Sequence, residues 1–247
     1  MTESELLRQL YYSDDEVHAA TARDYKATEK VLLIALKDDA AWVRLDAARN
    51  PNATERVLLK ALRDKCRDVR WAAAKNPNAT EKVLFMALKD KYWVVRSSAA
   101  KHKNATEQVL VMAVTDQYWC VRKSAAQNPN TTERVLLMAV QDEDPSVRLA
   151  AAQHPNATEQ VLLDVLGDEH QYVRRSAASN PNATERVLLM AVQDENLDIR
   201  LVAVKHPNAT ENVFRQAAID ENRRVRQAVA HSDKASTIAK IVGALGG

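Results

Sequence analysis

The stretch NPNATERVLLKALRDKCRDVRWAAAK, residues 50–75, decides the fold because its pattern recurs at a fixed spacing along the 247-residue chain. Its Thr54, Asp64 and Arg70 each recur every 26 residues, eight times in all. The recurring residues are Thr28, Thr54, Thr80, Thr106, Thr132, Thr158, Thr184 and Thr210; Asp38, Asp64, Asp90, Asp116, Asp142, Asp168, Asp194 and Asp220; and Arg44, Arg70, Arg96, Arg122, Arg148, Arg174, Arg200 and Arg226. A fixed period of this length is typical of a solenoid, in which each unit packs against its neighbours.

Each repeat predicts two helices separated by a short turn. Val57, Leu58 and Ala61 follow helical spacing, which indicates a long first helix that neighbours bury. A brief second helix is expected over residues 69–74. It ends before Pro77, because the residue preceding a proline disfavours the α region. The composition agrees, since helix formers dominate and only 4 Gly and 7 Pro occur.

We therefore predict an all-α, right-handed α-solenoid of about eight 26-residue, two-helix repeats, forming a single repeat domain over residues 1–247. The tandem repeats would span residues 28–231. Residues 1–27 would form an N-terminal cap and partial repeat, and residues 232–247 a C-terminal cap helix and tail. Such ends are needed because the terminal repeats of a solenoid must tolerate water.

The phrase Asn52-Ala53-Thr54 is a sequon for N-glycosylation, and it recurs with the repeat. The first residues show no secretory signal, the two cysteines are too few for a disulfide framework, and no apolar run approaches the roughly 20 residues that span a bilayer. We therefore expect a cytoplasmic chain without glycans, in which the phrase begins each first helix. Thr54 fits the N-cap position, and so does Asn52 with Glu55 in a capping box.

The recurring aspartates and arginines predict a ladder of ion pairs. Each Asp ends a first helix and each Arg begins a second helix, six residues later. Stacking of the repeats would place each Asp near the Arg of its own or an adjacent repeat. Because identical residues in every repeat are what packing requires, we interpret the ladder as structural and not as a ligand site.

The stretch DEDPSVRLAAAQHPNATEQVLLDVL, residues 142–166, resembles the HEAT-like repeats, and most closely the leucine-rich repeat variant. The resemblance extends from about residue 16 to about residue 231. It implies a superhelix in which the second helices line the concave surface. Some proteins of this variant carry a cysteine-rich iron–sulfur segment, but this chain has no such cluster, and we expect no cofactor.

Residues that differ between repeats lie near the Val-Arg pair of the second helix and share one helix face by spacing. All four tryptophans fall on these positions, together with several tyrosines and cations. Aromatic side chains on a variable stripe are typical of a binding patch. The predicted ligand-binding residues are Trp42, Trp71, Tyr92, Trp93, Tyr118, Trp119, Lys123, Tyr172 and Arg175.

This pattern favours a non-enzymatic scaffold that holds a peptide or protein partner in the concave groove, as a monomer and without a membrane. One alternative is a nucleic-acid binder with the architecture of the HEAT-like DNA glycosylases, since aromatics interleaved with cations suit bases and phosphates. Another is an engineered, library-derived repeat binder. An enzyme is not expected, because Asp46 is the only acid among the tryptophans and the six histidines lack metal-ligand spacing.

Overall fold

The computed structural model describes residues 1–237 and 239–241, and these residues form helices and turns without strands. Two compact units divide the chain, which we call the N-terminal unit (Met1–Asn130) and the C-terminal unit (Thr131–Gly247). The N-terminal unit contains α1 (Glu3–Tyr12), α2 (Asp15–Arg23), α3 (Glu29–Ala35), α4 (Ala41–Arg49), α5 (Glu55–Ala61), α6 (Arg67–Lys75), α7 (Glu81–Ala87), α8 (Trp93–Ala100), α9 (Glu107–Ala113) and α10 (Trp119–Ala126). The C-terminal unit contains α11 (Glu133–Ala139), α12 (Pro145–Ala152), α13 (Glu159–Val165), α14 (Gln171–Ala178), α15 (Glu185–Ala191), α16 (Leu197–Lys205), α17 (Glu211–Ala217) and α18 (Arg223–Ala230).

From α3 onward the odd-numbered helices are the first helices of their repeats and the even-numbered helices are the second. Within each unit, a first helix packs on the second helix of its own repeat, and second helices of adjacent repeats pack more closely together than first helices do. The all-α repeat solenoid is thereby confirmed. Its right-handed sense and the single domain stay predictions. Residues 238 and 242–247 of the expected C-terminal cap lie outside the described residues.

The expected lengths of the two helices are wrong. The first helix is the shorter one, because α5 ends at Ala61 and Leu62 already forms its C-cap. The second helix runs for nine residues from Arg67 to Lys75. It begins earlier than expected because the Asp64 carboxylate accepts the backbone N–H of Cys66, 2.7 Å away, and thereby holds the turn that leads into the helix.

The core of each repeat consists of a few small and branched side chains at repeated positions. In the second repeat, Val57, Leu58 and Ala61 of α5 and Val69 and Ala73 of α6 are almost completely buried. Burying one leucine or valine side chain contributes about 1.5–3 kcal/mol. The alanines let neighbouring second helices approach closely, which explains why they recur with the leucines.

Threonine, not asparagine, occupies the N-cap position. Thr54 has extended backbone angles, φ −78° and ψ 167°, and its hydroxyl accepts the N–H of Val57 at 3.5 Å. The same hydroxyl donates to the carboxylate of Glu29 in the preceding repeat at 2.6 Å. Glu55 likewise accepts the hydroxyl of Thr80 from the following repeat, so it forms no capping box with the asparagine. Thr54, Thr80, Thr106, Thr158, Thr184 and Thr210 thus each begin a helix and bond to a glutamate of the preceding repeat.

The asparagine of the sequon links adjacent repeats. The Asn52 amide donates to the carbonyl oxygens of Tyr25, at 2.5 Å, and Ala27, at 3.3 Å. The buried Asn50 donates to the carbonyl oxygens of Ala22 and Asp24 at 2.8 and 3.0 Å. Both hydrogens of the Asn52 amide are thus committed to the preceding repeat, and an N-linked glycan would have to replace one of them. Packing accounts for the recurrence of the sequon.

The predicted ladder of ion pairs is present, and its arginines reach forward by one repeat within each unit, at Arg44, Arg70, Arg96, Arg148, Arg174 and Arg200. Arg44 donates through Nε and Nη2 to the two carboxylate oxygens of Asp64, at 2.7 and 3.1 Å. Its Nη1 donates to the carbonyl oxygens of Asp38 and Asp39, both at 2.8 Å. Side-chain exposure is 5% for Arg44 and 8% for Asp64. One guanidinium therefore closes the turn of its own repeat and joins it to the next.

Three buried histidines, His102, His154 and His206, replace the asparagine in later repeats, and the contacts of His102 and His206 require a single tautomer. His102 Nε2 lies 3.0 Å from the carbonyl oxygen of Asn76, while Nδ1 accepts the N–H of Asn104 at 3.1 Å. His206 makes the equivalent contacts. The proton must therefore be on Nε2, because Nδ1 acts as the acceptor. Burial lowers the pKa of both histidines below the ordinary value of 6.5 and outweighs the hydrogen bond to the carbonyl, which raises it.

The lowered pKa values of His102 and His206 predict that the fold loses stability in acid. Because their pKa is lower in the folded chain than in the unfolded chain, the unfolded chain takes up protons first as the pH falls. The stability they contribute is present above about pH 6.5 and is lost below it. We expect a variant with His102→Asn and His206→Asn to lose less stability than the wild type between about pH 7 and pH 5, in urea unfolding.

The exposed His231 provides the control for that experiment. A His231→Asn variant should follow the wild-type curve, because its ring does not have to accept a hydrogen bond in the interior. Equal acid sensitivity in the double variant and the wild type would show that these two rings do not limit stability in acid.

Candidate ligand-binding surface

Three tryptophans lie exposed on the second helices of the N-terminal unit. The exposed fraction is 54% for Trp42, 42% for Trp93 and 46% for Trp119. Trp93 and Trp119 are the first residues of α8 and α10, two helices that pack against each other. Their rings therefore hold equivalent positions in adjacent repeats. Trp42 is the second residue of α4 and stands one position later in its repeat.

The fourth tryptophan is half-buried and lies beneath a lysine. The ammonium of Lys75 lies 4.9 Å from the ring centroid of Trp71, a cation–π contact between neighbouring turns of α6. Trp71 and Trp93 both line a depression of about 540 Å³ between α6 and α8. We call the second-helix surface that carries Trp42, Trp71, Trp93 and Trp119 the tryptophan face. Lys123 extends it, since its ammonium lies 5.8 Å from the ring centroid of Trp119.

The two tyrosines beside the tryptophans have a structural contact that the sequence did not reveal. Tyr92 and Tyr118 are N-cap residues of α8 and α10. Their rings lie over ladder arginines, with 5.4 Å from the Arg70 guanidinium to the centroid of Tyr92 and 5.2 Å from Arg96 to Tyr118. Both rings remain more than 40% exposed. They therefore cover the ladder and can still contribute their outer faces to a ligand.

In the C-terminal unit, exposed carboxylates contact the ladder arginines, where the N-terminal unit has tyrosine rings. Arg148 lies 3.3 Å from Glu169, and Arg174 lies 2.9 Å from Glu195. The predicted Tyr172 is 44% exposed and contacts the ring of His170 edge-on at 5.3 Å. The chemistry along the second helices of this unit thus differs from that of the tryptophan face.

The predicted site residues are divided between the two units. The N-terminal unit holds Trp42, Trp71, Tyr92, Trp93, Tyr118, Trp119 and Lys123, while the C-terminal unit holds Tyr172 and Arg175. Arg175 lines a depression of about 420 Å³ that lies between α14 and α16. The role of these nine residues in binding stays a prediction. The lysines that surround the depression beneath Trp93, above all Lys103, were missing from the predicted set.

Asp46, the acid that the sequence places among the tryptophans, is an ion-pair partner. It lies 3.2 Å from Arg23 of the preceding second helix. Burial raises the pKa of Asp46, and Arg23 opposes that effect.

Within the described residues one group of potential metal ligands occurs, formed by Asp15, His18 and Asp38. His18 occupies the ladder position of the N-terminal cap, with Nδ1 2.7 Å from Asp38, so it continues the ladder.

A larger depression of about 1310 Å³ lies on the first-helix side of the N-terminal unit. It is lined by Leu33 and Leu59 and by several cations. Burial lowers the pKa of Lys60 there, and the nearby cations lower it further. Ion pairs such as that of Arg56 with Glu29, 3.2 Å apart, offset part of the positive charge of this depression.

Among the described residues, no helix combines the length and apolar character needed to cross a bilayer.

A solved repeat protein has a similar fold. A leucine-rich repeat variant with a novel repetitive structural motif aligns with a TM-score of 0.64 and 24% identity, over 90% of this chain and 88% of that chain. The Escherichia coli protein YibA aligns with a TM-score of 0.39 and 18% identity, over 93% and 95%. A HEAT-like repeat protein from the archaeon Thermococcus onnurineus NA1 aligns with a TM-score of 0.21 and 13% identity, over 100% and 95%.

No protein-family model matches the chain, and no curated protein matches it in sequence. The similarity to the leucine-rich repeat variant concerns the fold alone, which is a helical-repeat solenoid. The resemblance expected from the repeated motif is thereby confirmed at the level of architecture. Solenoids of this class present extended surfaces that commonly serve as interaction scaffolds.

Proposed function

We propose that this protein is a non-enzymatic scaffold that binds a peptide, or an extended segment of a protein partner, on the tryptophan face. The observation that carries the proposal is the exposure of Trp42, Trp93 and Trp119, each above 40%, at positions where the repeat does not require an aromatic ring. An indole left in water contributes little to folding, whereas tryptophan is enriched among residues that dominate binding energy.

The packing of the repeats supports this location. Within the N-terminal unit the second helices pack more closely together than the first helices do. When repeats stack along a curve, the helices that pack more closely together lie on the concave side. The tryptophan face would then line a groove, as the resemblance to HEAT-like repeats implies. The proposal takes the chain to be a cytoplasmic monomer that needs no cofactor.

A nucleic-acid ligand is the second candidate, because Lys75 lies over Trp71 and Lys123 over Trp119. Bases stack on aromatic rings and phosphates pair with cations, so this arrangement suits a single strand. However, the ladder arginines are buried and engaged; Arg70 and Arg96, for example, bind Asp90 and Asp116. They cannot form the row of phosphate contacts that dominates nucleic-acid affinity, which favours a peptide.

Selection from a random peptide library, run beside a panel of single- and double-stranded oligonucleotides, tests the proposal. We expect peptides with a large apolar residue to be enriched and to bind the folded protein in solution. The proposal is overturned if no peptide is enriched. Oligonucleotide binding that weakens steeply with salt would then favour the second candidate.

A further inference from the structure

The depression between α6 and α8 combines an apolar floor with a cationic rim. Trp71, Pro77 and Trp93 contribute apolar surface, and its volume of about 540 Å³ is within the usual range of about 300–1,000 Å³ for ligand sites. Ser97, at its base, is buried and hydrogen-bonds Ser124 of the next repeat at 2.8 Å. The floor is therefore a fixed part of the packing between repeats, able to receive one large apolar side chain.

The rim of this depression carries three lysines and no carboxylate. Lys75, Lys101 and Lys103 are all exposed. None of the three forms an ion pair with a carboxylate within the described residues; Lys75 lies over the Trp71 ring instead. Lys103 stands where other repeats have proline, so the third charge is specific to this repeat. Three cations without acidic partners around an apolar floor are complementary to an anionic ligand with an apolar group.

The C-terminal unit shows that the fold builds such depressions and that local side chains determine their chemistry. Between α14 and α16, Arg175 takes the place of Trp71 and Leu201 that of Ser97, and Asp198 adds a carboxylate. This second depression, of about 420 Å³, has no Trp, Tyr or Phe among its lining residues, and its cations are Arg175, Lys205 and Arg224. The aromatic floor and lysine rim are thus not consequences of the repeat and are peculiar to the N-terminal unit.

The charge of the surrounding chain has the same sign as the rim. Residues 41–130 contain 17 Lys or Arg against eight Asp or Glu, whereas residues 131–222 contain eight Lys or Arg against 15 Asp or Glu. An acidic ligand that approaches the repeats of the N-terminal unit is therefore attracted before contact, and a basic ligand is repelled.

We infer that the depression between α6 and α8 binds a large apolar side chain of an acidic peptide, whose flanking carboxylates pair with Lys75, Lys101 and Lys103. This inference rests on the proposed peptide-binding function and specifies its ligand class. The apolar side chain provides the anchor on Trp71 and Trp93, and the lysines provide selectivity for acidic flanks and a faster approach.

The experiment compares two variants that carry the same charge change in the same unit. The first has Lys75→Glu, Lys101→Glu and Lys103→Glu around the depression. The control has three reversals among exposed cations of the first-helix side, namely Lys37→Glu, Arg63→Glu and Lys89→Glu. Thermal unfolding verifies that both fold. The probe is the peptide most enriched from a random library by the wild-type protein, followed by fluorescence anisotropy at low and high salt.

We expect the enriched peptides to contain a large apolar residue with Asp or Glu on both sides. The rim variant should bind the probe at least tenfold more weakly than the wild type at low salt, and the control variant within about twofold. The inference is overturned if the enriched peptides carry no excess of acids, or if both variants bind alike. Peptides that depend on Trp93 and Trp119 but not on the lysines would leave the proposed function standing. No enriched peptide, or selective capture of an oligonucleotide or of a second copy of the chain, would overturn both.

Discussion

The Arg96→Ala variant is expected to lose about 3–5 kcal/mol of unfolding free energy, the range for breaking a buried ion pair by removing one partner. Arg96 donates to the two carboxylate oxygens of Asp116 at 2.6 and 2.9 Å, and the side chains are only 5% and 10% exposed. Its third contact is the carbonyl oxygen of Asp90 at 2.8 Å. The substitution leaves the Asp116 charge in the interior, where the N–H of Tyr118 is its one remaining hydrogen-bond donor within the described residues.

The last arginine of the ladder provides a matched control. Arg226 donates to the carbonyl oxygens of Asp220 and Glu221 at 2.7 and 2.9 Å, but it has no carboxylate partner in the described part of the chain. Arg226→Ala should therefore remove hydrogen bonds, at about 0.5–1.5 kcal/mol each, without leaving a buried charge alone. Urea unfolding of both variants measures the difference. A loss below about 1 kcal/mol for Arg96→Ala would show that the ladder does not hold the repeats together.

Replacing Trp93 and Trp119 by alanine is expected to abolish binding of library-selected peptides. Truncating an aromatic anchor at the centre of an interface costs about 2 kcal/mol or more, which is roughly 30-fold in affinity for each residue. Thermal unfolding should change little, because both rings are more than 40% exposed and the repeated core is untouched. The exposed Ile219, on the other unit, serves as the control, and Ile219→Ala should bind as the wild type does.

The opposite result for the tryptophan pair would be equally informative. A large loss of stability with peptide binding intact would mean that the two rings hold the second helices together. The protein would then be a solenoid without a located binding surface.

The period of the chain made most of the fold predictable. Because every repeat places the same residue in the same contact, the pairing of the repeated aspartates with the repeated arginines could be inferred from their recurrence. Whether each pair lies within one repeat or joins two repeats could not be inferred. The N-cap residue could not be predicted, because Asn52 and Thr54 both suit the N-cap position. The choice depends on a neighbour 25 residues away, where Glu29 receives the threonine hydroxyl. Helix lengths were also misjudged, because the hydrogen bond from the Cys66 N–H to Asp64 holds the turn before the second helix and leaves no helical pattern in the sequence.

The candidate site was only partly predictable. Exposure of Trp93 and Trp119 could be inferred because core residues recur in every repeat, whereas tryptophan stands at this position in only two of the eight repeats. Stacking of Tyr92 on Arg70 could not be inferred, since it depends on how closely the turns of adjacent repeats approach each other. The contribution of Lys103 was missed because it replaces a proline in a phrase that serves to end helices, a position with no signal for ligand binding.

Photo-crosslinking with a selected peptide that carries benzoylphenylalanine in place of its apolar residue tests the central claim most directly. We predict that mass spectrometry will place the crosslinks on the tryptophan face, within residues 71–75 of α6 and 93–98 of α8. Crosslinks to Leu33 or Leu59, in the depression on the first-helix side, or to the C-terminal unit would contradict the claim, because the peptide would then bind a surface that lacks the exposed tryptophans.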